Sequence, residues 1–272
     1  MEKKTNWIVT FLIAAGALFI LFPLYMAVSI ALKTPEELAN SVLSPPMGFH
    51  IENFAKAIKA TNFFQAFKNS VYITVTAVIL TILTNSMVAY AIARNMHRKF
   101  FKFLYYYFVS ALFIPFPIIM LPIVKQTSAF DMNNPSGLVV LYVVYGVAFN
   151  IFIYVGYIRS IPKELEEAAI VDGCSTWGVF WRIIFPLMAP INATVGILTC
   201  LWAWNDFLLP LIILNDQEHM TLPLVQYVFQ SEFGTDYNLA FASYLMALSP
   251  MIIVYLFAQK WIIGGVTRGA IK

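Results

Sequence analysis

Charge is scarce in this 272-residue sequence. Asp, Glu, Lys and Arg together make up 11% of it, against about 25% in an ordinary water-soluble domain. Cysteine is nearly absent: Cys174 and Cys200 are the only two, and their placement, one in a loop and one within an apolar run, excludes a disulfide framework. The three histidines, His50, His97 and His219, fall in three different loops. None has a Cys or Glu at ligand spacing, so no metal site is expected. HExxH, CxxC and GxSxG are all missing, which removes the commonest metallohydrolase, thiol-redox and serine-hydrolase chemistries. No glycine is followed by lysine, so the phosphate cradle GxxxxGK[ST] is absent. An enzyme is not expected, and no nucleic-acid partner either. If ATP powers this protein, another chain must bind the ATP and its Mg; the chain itself calls for no cofactor.

What is present is apolar surface. Hydrophobic residues fill 60% of the chain and the mean hydropathy is +0.76. Six runs, at 7–32, 69–93, 103–124, 137–158, 187–214 and 239–263, reach the about 20 residues needed to cross a hydrocarbon core of about 30 Å. Lipid offers backbone N–H and C=O groups no partner, so each run should be helical. The expected fold is therefore an all-α polytopic membrane protein, one domain over 1–272 with six transmembrane helices. Pro23, Pro115, Pro117, Pro122, Pro210 and Pro250 lie inside the runs; neighbouring spans can re-satisfy the groups they free. The first run follows Lys3 and Lys4 as a signal peptide would. It is too long for one and ends without a small-residue cleavage site, so a retained span is expected.

Threading six spans sorts the basic residues. Lys3, Lys4, Arg94, Arg98, Lys99, Lys102, Arg159, Lys163, Arg182, Lys260, Arg268 and Lys272 fall on one side, and Lys33, Lys56, Lys59, Lys68 and Lys125 on the other. The positive-inside rule puts the richer side, with both termini, in the cytoplasm. The outer segments are 33–68, 125–136 and 215–238. The first holds Pro45-Pro46 and a short amphipathic stretch at 54–58. The third has no Lys or Arg but carries Asp216, Glu218, Glu232 and Asp236 with Tyr227, Phe229, Phe233 and Tyr237. Such a mixture suits docking of an extracytoplasmic partner; interfacial aromatics at the headgroups are the competing reading.

The long inner loop, 159–186, differs from the short basic one at 94–102. Ser160 is placed to cap a helix with Pro162 in its first turn, and Glu164, Glu166 and Glu167 suit the positive end of its dipole. Good helix formers run to Asp172-Gly173, where glycine can take the left-handed conformation that ends a helix. Ser175 can cap a second helix over Thr176–Ile184, which stops before Pro186. Leu165, Ala168, Ala169 and Asp172 recur at three-to-four spacing and so define one face. An ordinary interfacial helix would carry Lys and Arg on its polar side. Three glutamates argue instead for docking of another protein.

Glu167-Ala168-Ala169, Gly173 and Ile183-Ile184-Phe185-Pro186 together resemble the EAA loop of ABC importer permeases. Asp172-Gly173, Trp177 and Phe180-Trp181 resemble the version found in carbohydrate permeases of the maltose type. The likeness extends over the whole chain, including Trp204-Asn205-Asp206-Phe207 and the tail from Gln259-Lys260-Trp261 to Gly269-Ala270. The chain is similar to the MalG-like subunit of such importers; Phe185 departs mildly, standing where leucine is commoner. The resemblance implies a permease in a bacterial inner (cytoplasmic) membrane. Its implied partners are a second, MalF-like permease, two ATPase subunits that bind ATP and Mg, an extracytoplasmic sugar-binding protein reached by 215–238, and membrane lipid. It also implies that Leu165, Glu167, Ala168, Ala169, Asp172, Gly173, Trp177, Ile183 and Pro186 couple the permease to its ATPase. Within that contact Glu167 would meet a basic residue, the alanines would pack on a wall, Gly173 would make the turn, and the tail at 264–272 would insert nearby. The substrate implied by overall likeness is an oligosaccharide of the raffinose or multiple-sugar type, with a glycerol-3-phosphate importer as the alternative. Outside the family, the alternative is a stand-alone secondary carrier.

Candidates for the translocation path are Asn85, Asn150, Tyr154, Trp204, Asn205 and Asp206. Gly146, Asn150, Tyr154 and Tyr157 share a face of the fourth run. Aromatic rings and amides suit sugar recognition, while polar side chains and glycine equally suit helix–helix contact. Asp206 lies roughly 27 Å along the fifth run from Met188, near the outer interface, which does not suit a proton relay at mid-membrane.

Overall fold

The computed structural model describes residues 7–227, 229 and 236–270, the side chains of 258 and 260–270 excepted. The described residues are overwhelmingly helical, and no strand occurs among them. The helices that carry the architecture are α1 (Trp7–Ala31), α2 (Pro35–Asn40), α3 (Glu52–Ala60), α4 (Phe63–Arg94), α5 (Lys99–Ser110), α6 (Phe116–Ala129) and α7 (Pro135–Ile158). After them come α8 (Glu164–Val171), α9 (Thr176–Val179), α10 (Phe185–Leu187), α11 (Ala189–Asn205), α12 (Leu208–Ile213), α13 (Leu222–Gln226) and α14 (Tyr237–Ala270).

Four stretches are long and apolar enough to cross a membrane as single helices: α1, α4, α7 and Tyr237–Phe257 of α14. Two further helix pairs qualify if each counts as one bent span. Lys99–Phe113 with Phe116–Ala129 bends by 107°, and Thr176–Leu187 with Ala189–Asn205 by 74°. The chain is thus an all-α, multi-pass membrane protein with four to six candidate spans. The run at 103–124 is not one straight helix. Its break falls where Ile114 and Pro115 adopt extended conformations (ψ 113° and 134°), as expected of a residue before proline and of a proline entering a new helix. The run at 187–214 is interrupted at Asp206, whose backbone is extended (ψ 133°).

By contact density the chain divides into two compact units, 1–66 with 224–252 and 67–223 with 253–272. In the first, the end of α1 is closed by side chains. Helices leave their last carbonyls unpaired, and here Asn53 Nδ2 donates to Ala31 O and Lys33 O, both at 2.9 Å. Asn238 Nδ2 donates to Ile30 O at 3.0 Å and Lys33 O at 2.7 Å. Lys33, fully buried, turns its Nζ to Ser41 O at 2.8 Å and Val42 O at 3.1 Å. The amphipathic stretch expected at 54–58 lies within α3, and Ala57 packs with Ala31, Ala240, Ala242 and Phe229. Phe229, offered above as a docking aromatic, is 2% exposed and belongs to this core. Tyr227 and Tyr237 are exposed; Glu232 and Phe233 lie outside the described residues. The rest of α1 is uncovered: its most apolar window has no residue buried within this chain.

The second unit is built on α4, α7 and α11, with α5 packed along α7. A Cβ on Gly196 of α11 would approach Ile82 Cδ1 of α4 to 3.1 Å. A Cβ on Gly146 of α7 would come within 2.8 Å of Asn150 Nδ2 and 3.9 Å of Asn85 Nδ2. Gly196 therefore allows a close approach of α11 to α4, as small residues commonly do in lipid.

Replacing Asn238 by leucine removes two donors from buried carbonyls while keeping the volume. The expected loss is about 1–3 kcal/mol, read as a lowered thermal denaturation midpoint of the purified protein; an unchanged midpoint would contradict the capping role.

Candidate functional site

The segment between α7 and α11 folds as two short helices held against the core of the second unit. Ser160 does not cap α8, contrary to the expectation above. It still belongs to the tail of α7, where its hydroxyl donates to Tyr157 O at 2.7 Å. Pro162 accordingly precedes the first turn. The helix starts at Glu164, and Lys163 O accepts from Glu166 N at 2.9 Å and Glu167 N at 3.0 Å. Its end is a Schellman turn: Cys174 N reaches Ala169 O at 2.9 Å, Gly173 N reaches Ile170 O at 3.0 Å, and Gly173 takes φ +86°. These are the two bonds that satisfy otherwise orphaned carbonyls at a left-handed terminus.

Ser175 caps the second helix as its position suggests, its Oγ accepting from Gly178 N at 3.2 Å. That helix does not stop before Pro186. After α9 the chain widens into a π turn over Phe180–Ile184, in which Phe185 N donates to Phe180 O, and continues through Pro186 as α10. A proline ring clashes with the carbonyl four residues back in a regular helix; the wider turn relieves that conflict. The bend to α11 falls at Met188.

The predicted face of α8 is divided by its packing. Ala169 is buried with Ile161, Val179, Phe180, Ile184 and Met188 against Ala89, Ile92 and Ala93 of α4 and Ile151, Val155 and Ile158 of α7. Leu165, Glu167, Ala168 and Asp172 remain exposed, as do Trp177 of α9 and Pro186 of α10, while Ile183 is half-buried. Ile170 and Val171, which the sequence did not single out, extend the exposed apolar surface. One side of the loop is therefore packed against the core and the other is exposed.

The strongest polar anchor falls on Glu166. Arg94, the last residue of α4, donates from Nε to Glu166 Oε1 at 2.6 Å and from Nη2 to the same oxygen at 2.5 Å. Tyr90 Oη donates to Glu166 Oε2 at 2.8 Å. Arg94 Nη2 also donates to Ile161 O at 3.1 Å. The two charged side chains are only 11% and 12% exposed, so both need the partners they have. Tyr90 and Arg94 are four residues apart on α4, a spacing legible beforehand; that Glu166 rather than Glu167 turns inward was not. Beside this anchor lies a groove of about 470 Å³ lined by Met87, Tyr90, Ala91 and Arg94 of α4 and by Trp177 and Phe180.

The path candidates fall into two groups. Asn85, Asn150 and Tyr154 are 1%, 3% and 0% exposed within this chain, around the contact of α4 and α7. Trp204 is buried with its ring edge-on to Phe67 at 6.0 Å, and Asn205 Nδ2 donates to Leu201 O at 2.7 Å. Asp206 accepts from Tyr142 Oη at 3.0 Å and from Leu208 N at 3.1 Å. Tyr142 was missed, although it stands four residues before Gly146 on the stripe already identified. Among the described residues no cluster of His, Cys, Asp or Glu has the makings of a metal site.

Residues 85–268 match the family described as the binding-protein-dependent transport system inner membrane component. The chain belongs to this family. It is 39% identical to the multiple sugar-binding transport system permease protein MsmG of Streptococcus mutans, over 100% of this chain and 99% of the relative. It is 32% identical to the melibiose/raffinose/stachyose import permease protein MelC of Bacillus subtilis, over 100% and 98%. Its fold is that of a chain in the crystal structure of a bacterial ABC transporter that imports the acidic polysaccharide alginate, with a TM-score of 0.81, 21% identity, and coverage of 96% and 98%. The resemblance drawn from the EAA loop therefore holds, and the protein is a transport permease rather than an enzyme.

The left-handed turn at Gly173 ends α8. A Cβ there would meet nothing within 4 Å, so only the left-handed backbone resists substitution. Gly173→Val is expected to cost about 1–2 kcal/mol and Gly173→Asn distinctly less, measured as thermal midpoints; equal midpoints would contradict this.

Proposed function

We propose that the chain is one permease half of an ATP-driven oligosaccharide importer, coupled to a separate ATPase through the 159–190 segment. The observation that carries this reading is the divided loop. Its inner side is packed and ion-paired, and its outer side offers Leu165, Glu167, Ala168, Val171 and Asp172 to a partner. A rigid helix with small exposed residues lets a partner's backbone approach closely, and a free carboxylate at its start offers a basic residue a contact.

Family membership supports the following wider assembly. A second, MalF-like permease completes the path, two ATPase subunits bind ATP and Mg, and an extracytoplasmic binding protein delivers the solute to the outer segments, with both termini in the cytoplasm of a bacterium. The uncovered apolar length of α1 is consistent with lipid and a second permease around this subunit. Relatives named for multiple sugars and for melibiose, raffinose and stachyose support an oligosaccharide of the raffinose type as cargo. Asn85, Asn150, Tyr154, Trp204, Asn205 and Asp206 are carried forward as candidates for the path. In this reading the buried amides are reached only when α4 and α7 part.

The test is Glu167→Lys. Inverting a charge that meets a basic residue in a partner should lower uptake of labelled raffinose by about ten-fold or more. Membrane insertion should be unchanged, because the Glu167 side chain is exposed. Uptake at the wild-type level would refute the assignment of the loop.

A further inference from the structure

The same segment contains a second device on its hidden side. Glu166 and Glu167 are neighbours, about 100° apart around α8; Glu166 faces α4, and Glu167 is exposed. Glu166 has both carboxylate oxygens filled, Oε1 by the Arg94 guanidinium and Oε2 by the Tyr90 hydroxyl. Arg94 reaches at the same time to Ile161 O, in the connection between α7 and α8. One guanidinium thus ties together the end of α4, the start of the loop and the first turn of α8. Below it, Phe180 lies against Tyr90 with ring centroids 5.3 Å apart, which extends the tie to the second helix of the loop.

We infer that Tyr90, Arg94 and Glu166 form a strut that makes α8 and the end of α4 a single rigid lever. Displacement of α8 by whatever binds its outer face is then delivered to the spanning core along α4. Arg94 and Glu166 act through α8 and α4 rather than on a transported molecule, so they are positioning residues. Only the second of the two measurements below rests on the importer reading.

Stability and leverage separate cleanly at a pair of this kind. Removing one partner strands a shielded charge, whereas replacing both by apolar side chains of similar size leaves the fold intact. Arg94→Met with Glu166→Met therefore restores what either single change loses in thermal midpoint, but it removes the geometry of the tie. In the purified chain in lipid nanodiscs, with Cys174 and Cys200 replaced by alanine, spin labels at Val171→Cys and Asn95→Cys report the distance from α8 to the end of α4. A narrow distribution is expected in the parent, and one roughly twice as wide in the double Met variant. A broad distribution in the parent, or a narrow one in the double variant, overturns the strut. In the assembled importer the double Met variant should still bind its ATPase but take up labelled raffinose about ten-fold more slowly. Wild-type uptake by that variant also overturns the strut. A parent chain that binds no ATPase defeats the importer reading instead, and the distance measurement still decides the strut.

Discussion

A carboxylate shielded from water is tolerated only when each of its oxygens has a donor. The 159–190 segment of this permease depends on that constraint. Both Glu166 oxygens find their donors only because Arg94 and Tyr90 are in place, and these two are held by four residues of regular helix. The apolar contacts of Ala169, Val179, Phe180 and Ile184 with α4 and α7 bring the loop to the core. A hydrophobic contact has no preferred direction, whereas charge-assisted hydrogen bonds from a guanidinium and a hydroxyl to the two oxygens of one carboxylate do. Packing supplies adhesion, and the ion pair supplies orientation. Everything exposed on α8 inherits its position from that pair.

The same logic explains the irregular backbone. The loop must leave α7, turn twice and enter α11 within a short length, and each turn leaves backbone groups without helical partners. Ser160, the Schellman bonds at Gly173 and the Ser175 cap satisfy them in sequence. At Pro186 a side-chain cap would not help, because the difficulty is a clash rather than an orphan. The π turn at Phe180–Ile184 removes the clash and leaves the ring cluster of Phe180, Trp181 and Phe185 intact, with Trp181 and Phe185 centroids 4.9 Å apart.

Much of this was legible in the residues. The membrane class followed from scarce charge and long apolar runs, and Gly173 and Ser175 were read correctly because capping is a local code. Ser160 was misread for an instructive reason. A serine three residues after a carbonyl at a helix end and a serine three residues before a helical N–H look alike in sequence, and the choice depends on where the previous helix stops. The bends at Pro115 and Met188 were invisible for a similar reason: hydropathy measures length along the chain, not direction in space. Glu166 and Glu167 could not be assigned to inner and outer roles without knowing the rotation of α8, which Ala169 sets by packing into the core.

That last dependence links the two faces of the loop. Turning α8 by one residue's worth of rotation would bury Glu167, expose Glu166 and lift Ala169 out of the core. Burial of Ala169 in the core restricts this, and the strut restricts it again. A helix only two turns long has little intrinsic stability of its own, so its register must be imposed by tertiary contacts. A small buried residue and a directional ion pair are independent ways of imposing it. Their agreement gives Glu167, Ala168 and Asp172 a fixed presentation, and a fixed presentation is what a lever requires at its loaded end. The buried polar contacts at Glu166 and the bare outer surface of α8 are thus two consequences of one rotational constraint.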